Sequence, residues 1–272
     1  MHLASILLAC WLIMEDISQV KTIDRIVRVL DCFTPERSTW SLAELSTQLD
    51  LPKSTLHRFL IGLESHGILR RDAGDKKWRL GYRLFIWGSL AAESTGLRQI
   101  ARPIMHELVA ATGETALLTV YHNHEVICTD KVETSHHVRL SLEVGARRAC
   151  HAGASSKILM AYLPQEEVES IIQEKGLPKL CTHTITNPKK LKTELARIRE
   201  CGYAVSIEET DLGAWGIAAP IRDWKGEVVG AIGVAGPTLR HNEDKIQQHV
   251  ALCCQAAREI SSLLNARSGS KQ

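Results

Sequence analysis

Residues 41–65, SLAELSTQLDLPKSTLHRFLIGLES, carry apolar residues at helical spacing on both sides of a break that one continuous helix cannot cross. Ser41 is a favourable N-cap because its hydroxyl accepts from an orphan backbone N–H, and Glu44 three residues on completes a capping box. Leu42, Leu45 and Leu49 then form one stripe. The pattern stops at Asp50-Leu51-Pro52, since proline disfavours helical geometry in the residue before it yet suits a first helical turn. A second helix therefore opens near Pro52. On it Leu56, Phe59, Leu60 and Leu63 share a narrow arc that faces inward, Ser54, Arg58 and Ile61 point the opposite way, and Lys53, Thr55 and His57 flank them. Hydroxyls and cations near a helix N-terminus suit phosphate oxygens and base edges in the major groove of DNA.

The flanks extend this unit. Ile23, Ile26, Val27, Leu30 and Phe33 predict a preceding helix closed by Pro35, and Gly67 is a helix stop. Ile68-Leu69-Arg70-Arg71 and Trp78-Arg79-Leu80 then read as two strands around a tip, residues 73–77, that contains Lys76 and Lys77. A basic hairpin after such a helix pair is a winged helix-turn-helix. From residue 21 to residue 83 there are 12 Lys+Arg against 8 Asp+Glu, a net +4, whereas the chain from residue 84 onward is balanced at 21 against 21. The excess cation sits where DNA contact is expected, although charge alone would not decide it.

A chain of 272 residues, 44% hydrophobic, is long enough for two cores. Its eight cysteines, at 10, 32, 128, 150, 181, 201, 253 and 254, form no Cys-x-x-Cys pair and no regular framework, which predicts a reduced, cytoplasmic protein without a zinc site. The apolar run at residues 3–13 lacks a preceding Lys or Arg and is too short to span a bilayer, so neither an export signal nor a membrane anchor is expected. Met14 is the expected native start, with residues 1–13 an upstream extension.

After the wing, residues 81–97 read as a connector helix and residues 100–109 as a second amphipathic helix. Beyond Gly113 the texture becomes strands and turns: residues 116–121, a turn at His122-Asn123-His124, residues 126–131 and residues 138–142 predict the start of a small mixed sheet. Helices follow at 154–163, 165–174 and 188–201, the last ended by Gly202. Two strands, 216–222 and 227–235, are joined by Asp223-Trp224-Lys225-Gly226, and a final helix over 243–264 covers the sheet. Gly230, Ala231, Gly233 and Ala235 leave room beside the sheet, either for a small molecule or for a closely packed helix.

Several separated motifs in this order resemble the IclR family of regulators: LPKSTLHR at 51–58, LESHGILRRD at 63–72, WRLG at 78–81, HAGASSKILMA at 151–161, GIAAPI at 216–221 and IGVAGP at 232–237. The resemblance runs from about residue 20 to residue 264. It implies an α+β protein with an N-terminal extension (1–19), a winged helix-turn-helix (20–82), a linker helix (83–98), a GAF-like effector-binding and oligomerisation domain (99–265) and a tail (266–272). By it, Lys53, Ser54, Thr55, His57, Arg58, Arg70, Arg71, Lys76 and Lys77 contact double-stranded operator DNA. The protein acts as a homodimer or dimer of dimers, and a small organic molecule, typically from a catabolic pathway, alters operator affinity or recruitment of RNA polymerase. The resemblance lines the effector pocket with Leu140, Ala154, Ser155, Ser206, Gly216, Gly233 and Ala235. Members that take small carboxylates tend to show Cys or Ser at the last three of these positions. Gly, Gly and Ala here imply a bulkier or less polar effector, such as an aromatic or sugar-derived acid, with its acid end held by backbone N–H groups.

Other classes are less well supported. His136-His137 and Cys150-His151 are adjacent pairs that a strand would point to opposite faces, so they make poor chelates. Neither they nor Cys181-Thr182-His183 is accompanied by a Ser-x-x-Lys motif or a nucleophile elbow, and no catalytic residue, metal or cofactor is expected. A constitutive DNA-binding protein whose second domain only oligomerises remains the alternative, distinguishable by operator binding that no metabolite alters.

Overall fold

The structure, a computed structural model, describes residues 21–269 apart from 35, 72, 73, 75, 95, 141, 241 and 242. The expected N-terminal extension with Met14, the helix-closing Pro35, residue 72 with residues 73 and 75 of the hairpin tip, and the last three residues of the tail lie outside the described residues. The chain divides into two units between Ala91 and Ala92.

In the first unit α1 (Lys21–Asp31), α2 (Leu42–Leu49) and α3 (Lys53–Ser65) precede a hairpin of β1 (Leu69–Arg71) and β2 (Trp78–Leu80). The capping box forms as its residues dictate. The Glu44 N–H donates to Ser41 Oγ at 3.3 Å and the Ser41 N–H donates to Glu44 Oε2 at 2.8 Å. Asp50 closes α2 in the left-handed region at φ 52°. Val29, Leu45, Leu49, Leu56, Leu60, Leu63 and Leu69 pack around Trp40 and Trp78. Phe59 is only partly buried, so the inward face of α3 is one residue narrower than its periodicity suggests. The sheet gains a member that the pattern did not announce: Trp40 exchanges two backbone hydrogen bonds with Trp78, at 3.1 and 2.7 Å, and its indole N–H donates to the Cys32 carbonyl at 2.8 Å. At Gly81 a β-carbon would lie 2.1 Å from the Gly67 carbonyl oxygen, so only glycine lets the wing close onto the end of α3.

The expected connector is α4 (Tyr82–Ser94), and a new helix, α5 (Leu97–Thr112), starts after Gly96 at φ 64°. Then come β3 (Thr115–His122), β4 (Glu125–Val132), β5 (Arg147–Ala149), α6 (Ala154–Ala161), α7 (Gln165–Lys175), α8 (Pro188–Cys201), β6 (Ala204–Ile207), β7 (Ala214–Arg222), β8 (Val228–Pro237) and α9 (Glu243–Gly269). The six strands lie in the order β5-β4-β3-β8-β7-β6. Every neighbouring pair is antiparallel, which corrects the expected mixed sheet. The expected strand at 138–142 is also corrected: its described residues belong to no strand. Its alternation instead turns Leu140 and Leu142 onto a small cluster with Leu117, Cys128 and Ala235. The Cys128 edge of β4 is already taken, since Gly145 N–H donates to the Cys128 carbonyl and Cys128 N–H to the Ala146 carbonyl; pairing resumes only at β5.

Side chains alternate between two cores. Ile217, Ala219, Ile232 and Val234 face α5 and α9, while Ala218 and Ala231 face α6, α7 and α8. No helix among the described residues is long and apolar enough to cross a membrane.

The cap supports a prediction for the first unit. Ser41→Ala removes the acceptor for an orphan amide and is expected to cost about 1 kcal/mol in urea unfolding. The hydrogen bonds from the Ser41 backbone and side chain, with Arg37 beside them, hold the Glu44 carboxyl down at about 2. Its contribution to stability is therefore present above the ordinary carboxylate range and lost as pH falls toward 2. Melting temperatures of Glu44→Gln and the parent should accordingly differ at neutral pH and converge at low pH.

Candidate functional site

Two surfaces collect the residues singled out in the sequence. On α3, Lys53, Ser54, His57 and Arg58 are exposed and Thr55 is half-buried, on the side opposite the inward Leu56, Leu60 and Leu63. The first turn of this helix carries no acidic residue and no side-chain cap, so its leading N–H groups and Lys53 present positive potential outward. Arg70 and Arg71 project from β1, exposed, with the Arg71 guanidinium 4.4 Å over the Trp78 ring and that of Arg70 5.3 Å over Tyr82. Lys76, exposed at φ 57°, and the half-buried Lys77 complete the wing. This face can dock on a polyanion: phosphate-directed cations on the wing, and mixed hydroxyl, imidazole and guanidinium donors on a helix that fits a groove.

In the second unit a cavity of about 320 Å³ opens where β7 and β8 meet the start of α6. Leu140, Ala154, Ser155, Ser206, Gly216 and Ala235 line it. Gly216 makes the space: paired with Ala235, it has only ordinary contacts, 3.4 to 3.8 Å, around the position a β-carbon would take. Gly233 does not line the cavity. A β-carbon there would lie 2.2 Å from the Ile217 carbonyl oxygen, so that glycine serves the close approach of β7 to β8. The small residues of this strand divide between close packing and open space: Ala231 packs in the core with α6 and Ala235 borders the cavity.

The polar lining includes groups that the sequence did not single out. Arg148 and Asp211 meet at 3.5 Å at the cavity, both partly exposed, and Thr210 lies beside them. An ion pair so placed contributes about 0–1 kcal/mol, and an incoming carboxylate can replace Asp211 on the guanidinium at little cost. Arg148 had one available signal. In the pair Arg147-Arg148, strand alternation exposes the first and half-buries the second. The Glu209-Thr210-Asp211 turn had none, because only the fold brings it against α6. Trp215 contributes to the wall, its indole N–H donating to the Pro237 carbonyl at 3.1 Å and its ring stacked on His249.

At Cys150-His151 the surroundings work against an activated nucleophile. Burial pushes the Cys150 thiol up to about 12, away from the thiolate that a nucleophile needs, and burial also lowers the basicity of His151, whose Nε2 sits 3.0 Å from the Pro178 carbonyl. Among the described residues no group of three or more His, Cys, Asp or Glu side chains is arranged to hold a metal ion.

Comparison with known proteins follows both surfaces. Residues 22–73 match the IclR helix-turn-helix domain, and residues 89–262 match the C-terminal domain of bacterial transcriptional regulators of the IclR type. The chain is 34% identical to the HTH-type transcriptional regulator BhcR of Paracoccus denitrificans, over 91% of this chain and 88% of that protein. It is 32% identical to the transcriptional repressor IclR of Escherichia coli, over 89% of each. Among solved structures, an IclR homolog from Microbacterium hydrocarbonoxydans complexed with 4-hydroxybenzoate is 30% identical with a TM-score of 0.80, over 89% of this chain and 98% of that one. These relatives are named as regulators, not enzymes, and the chain belongs to the IclR family of DNA-binding transcriptional regulators.

Proposed function

We propose that this regulator reads an operator with α3 and the wing, and that a single-ring organic acid bound in the cavity of the second unit controls that reading. The observation that carries the effector class is the pairing of largely apolar walls with one guanidinium at the cavity. Leu117, Leu140, Leu142, Ile217 and Val234 suit a ring, while Arg148, the hydroxyls of Ser155 and Ser206 and the first-turn N–H groups of α6 suit its carboxylate. A cavity of about 320 Å³ lies at the small end of ligand pockets. The absence of polar side chains at Gly216 and Ala235 leaves that space to a ring rather than to polar groups gripping a two- or three-carbon acid. The bound 4-hydroxybenzoate of the Microbacterium homolog agrees with such an occupant.

In this reading Ser54, Thr55, His57 and Arg58 meet base edges or their adjoining phosphates, and Lys53, Arg70, Arg71, Lys76 and Lys77 neutralise phosphates. The domain limits are those expected from the sequence: winged helix-turn-helix 20–82, linker 83–98, GAF-like effector domain 99–265 and a short tail. The protein works in the cytoplasm as a homodimer or dimer of dimers, answering a catabolic metabolite through operator affinity or polymerase recruitment. An exposed apolar face on α4 supports self-association: among the described residues Tyr82 and Phe85 are each 74% exposed, with Ile86, Trp87 and Leu90 beside them.

Arg58→Ala is expected to weaken binding to an operator selected in vitro from random DNA by about 1–3 kcal/mol while leaving affinity for unrelated DNA nearly unchanged. Arg71→Ala should instead weaken both and reduce the slope of log affinity against log salt; equal losses on both DNAs for Arg58→Ala would contradict base reading. Phe85→Glu should shift the protein toward monomer in sedimentation, and an unchanged oligomer would argue against α4 as the contact. In calorimetry, 4-hydroxybenzoate should bind the parent chain and fail to bind Gly216→Leu, whose side chain fills the cavity. Micromolar binding of glyoxylate or pyruvate would overturn the aromatic-acid reading.

A further inference from the structure

Lys157 sits one turn into α6 with 1% of its surface exposed, and none of the functions above uses it. Its ammonium has three acceptors for three protons: Glu209 Oε1 at 2.5 Å, Glu194 Oε1 at 3.0 Å and the Val205 carbonyl at 3.1 Å. The second oxygen of Glu209 accepts the Gly153 N–H at 2.9 Å. Glu194 is in turn held by Arg197 through bonds of 2.8 and 3.0 Å. The four charges balance, and each buried member is hydrogen-bonded, which is the condition under which a buried ion pair is tolerated.

The position of this network gives it a role. One wall of the cavity is the turn into α6, from Ala152 to Ser156; the facing wall is Ser206 on β6 with Thr210 and Asp211 beyond it. Glu209 adjoins Thr210 of the second wall without itself lining the cavity, and binds the turn into α6 at two points, the Gly153 amide and the Lys157 ammonium. Lys157 answers by holding the Val205 carbonyl, next to Ser206. Where the walls come nearest, Gly153 is at φ 90° and its β-carbon would meet the Thr210 methyl at 3.1 Å.

We infer that the Lys157–Glu209 pair is a clasp that sets the width of the effector cavity, and that both are positioning residues for effector binding rather than contacts to the effector. The inference rests on the cavity being the effector site, and its test separates the two claims. The charge pair can be removed without stranding a charge by the double substitution Lys157→Met/Glu209→Leu, since apolar replacement of both buried partners is often neutral for folding. A second variant, Lys157→Met/Glu209→Gln, removes both charges but keeps an acceptor for the Gly153 amide.

Hydrogen exchange of the ligand-free protein reads the clasp directly. Amides of residues 151–157 should exchange faster in both variants, less so in the Met/Gln variant, which keeps one of the two contacts to the turn into α6, with α9 unchanged in both; full protection in the Met/Gln variant would show that Lys157 has no part in the clasp. Calorimetry with 4-hydroxybenzoate should show affinity falling about tenfold in the Met/Leu variant and recovering only in part in the Met/Gln variant, as expected when supporting contacts loosen an intact site. Affinity for the selected operator without ligand should not change. Unaltered exchange over residues 151–157 in the Met/Leu variant would overturn the clasp. So would faster exchange throughout the second unit, which would mark the pair as a general folding element. If the parent chain does not bind 4-hydroxybenzoate, the aromatic-acid reading falls while the exchange measurement still decides the clasp.

Discussion

The second unit depends on how closely β7 and β8 approach at the middle of its sheet. At Gly233 a β-carbon would stand 2.2 Å from the Ile217 carbonyl oxygen, a distance no side chain tolerates, so the strand pair closes only with glycine there. Several features follow from that closure. The antiparallel register sets Ala218 opposite Gly233 and Gly216 opposite Ala235, giving a surface low enough for α6 to pack on one stretch and an open space two residues along. On the other face the same strands present Ile217, Ala219, Ile232 and Val234, which supply the bulk that α5 and α9 cover. A central strand poor in side chains on one face is thus compensated by a dense core on the other.

Regulation by a ligand requires that the ligand prefer one arrangement of the protein over another; affinity alone shifts nothing. The cavity meets a precondition for such preference, because its walls come from elements distant in sequence: the turn into α6, the turn after β6, the strands β7 and β8, and the loop bearing Leu140 and Leu142. A molecule bound among them is sensitive to any change in their spacing. The reading face of the first unit is simpler, one helix and one hairpin around a core containing two tryptophans.

The sequence made local features legible and left the non-local ones hidden. The capping box, the break at Pro52, the hairpin of β1 and β2 and the helix ending at Gly202 are each decided within a few residues, and they were readable as such. Trp40 joining the first sheet was not, since one residue in extended conformation has no period. At 138–142 the alternation correctly marked alternate burial but could not say whether a neighbouring strand edge was vacant, and Gly145 and Ala146 had occupied it. Among the cavity residues, motif resemblance led to both Gly216 and Gly233, but only the register and the space around each strand distinguish a glycine that opens a cavity from one that lets two strands meet. Arg148 and Lys157 carried charges whose partners, Asp211 and Glu209, lie 63 and 52 positions away. No local pattern encodes such a pairing.

The wing arginines and the arginine of α3 differ in how far the fold already restrains them. Arg71 already rests on Trp78 and Arg70 leans over Tyr82, so part of their rotamer freedom has been surrendered during folding. Arg58, among the described residues, has no ring, carboxylate or carbonyl holding it, and any ligand that engaged it would have to immobilise it, at about 0.5–1.5 kcal/mol for a side chain of this kind. Under the proposed function, cations held in advance would make the wing a quick, sequence-indifferent anchor. An unrestrained guanidinium on the helix would then be free to search several base edges before committing, so that the protein could sample many sites on a duplex while remaining attached to it.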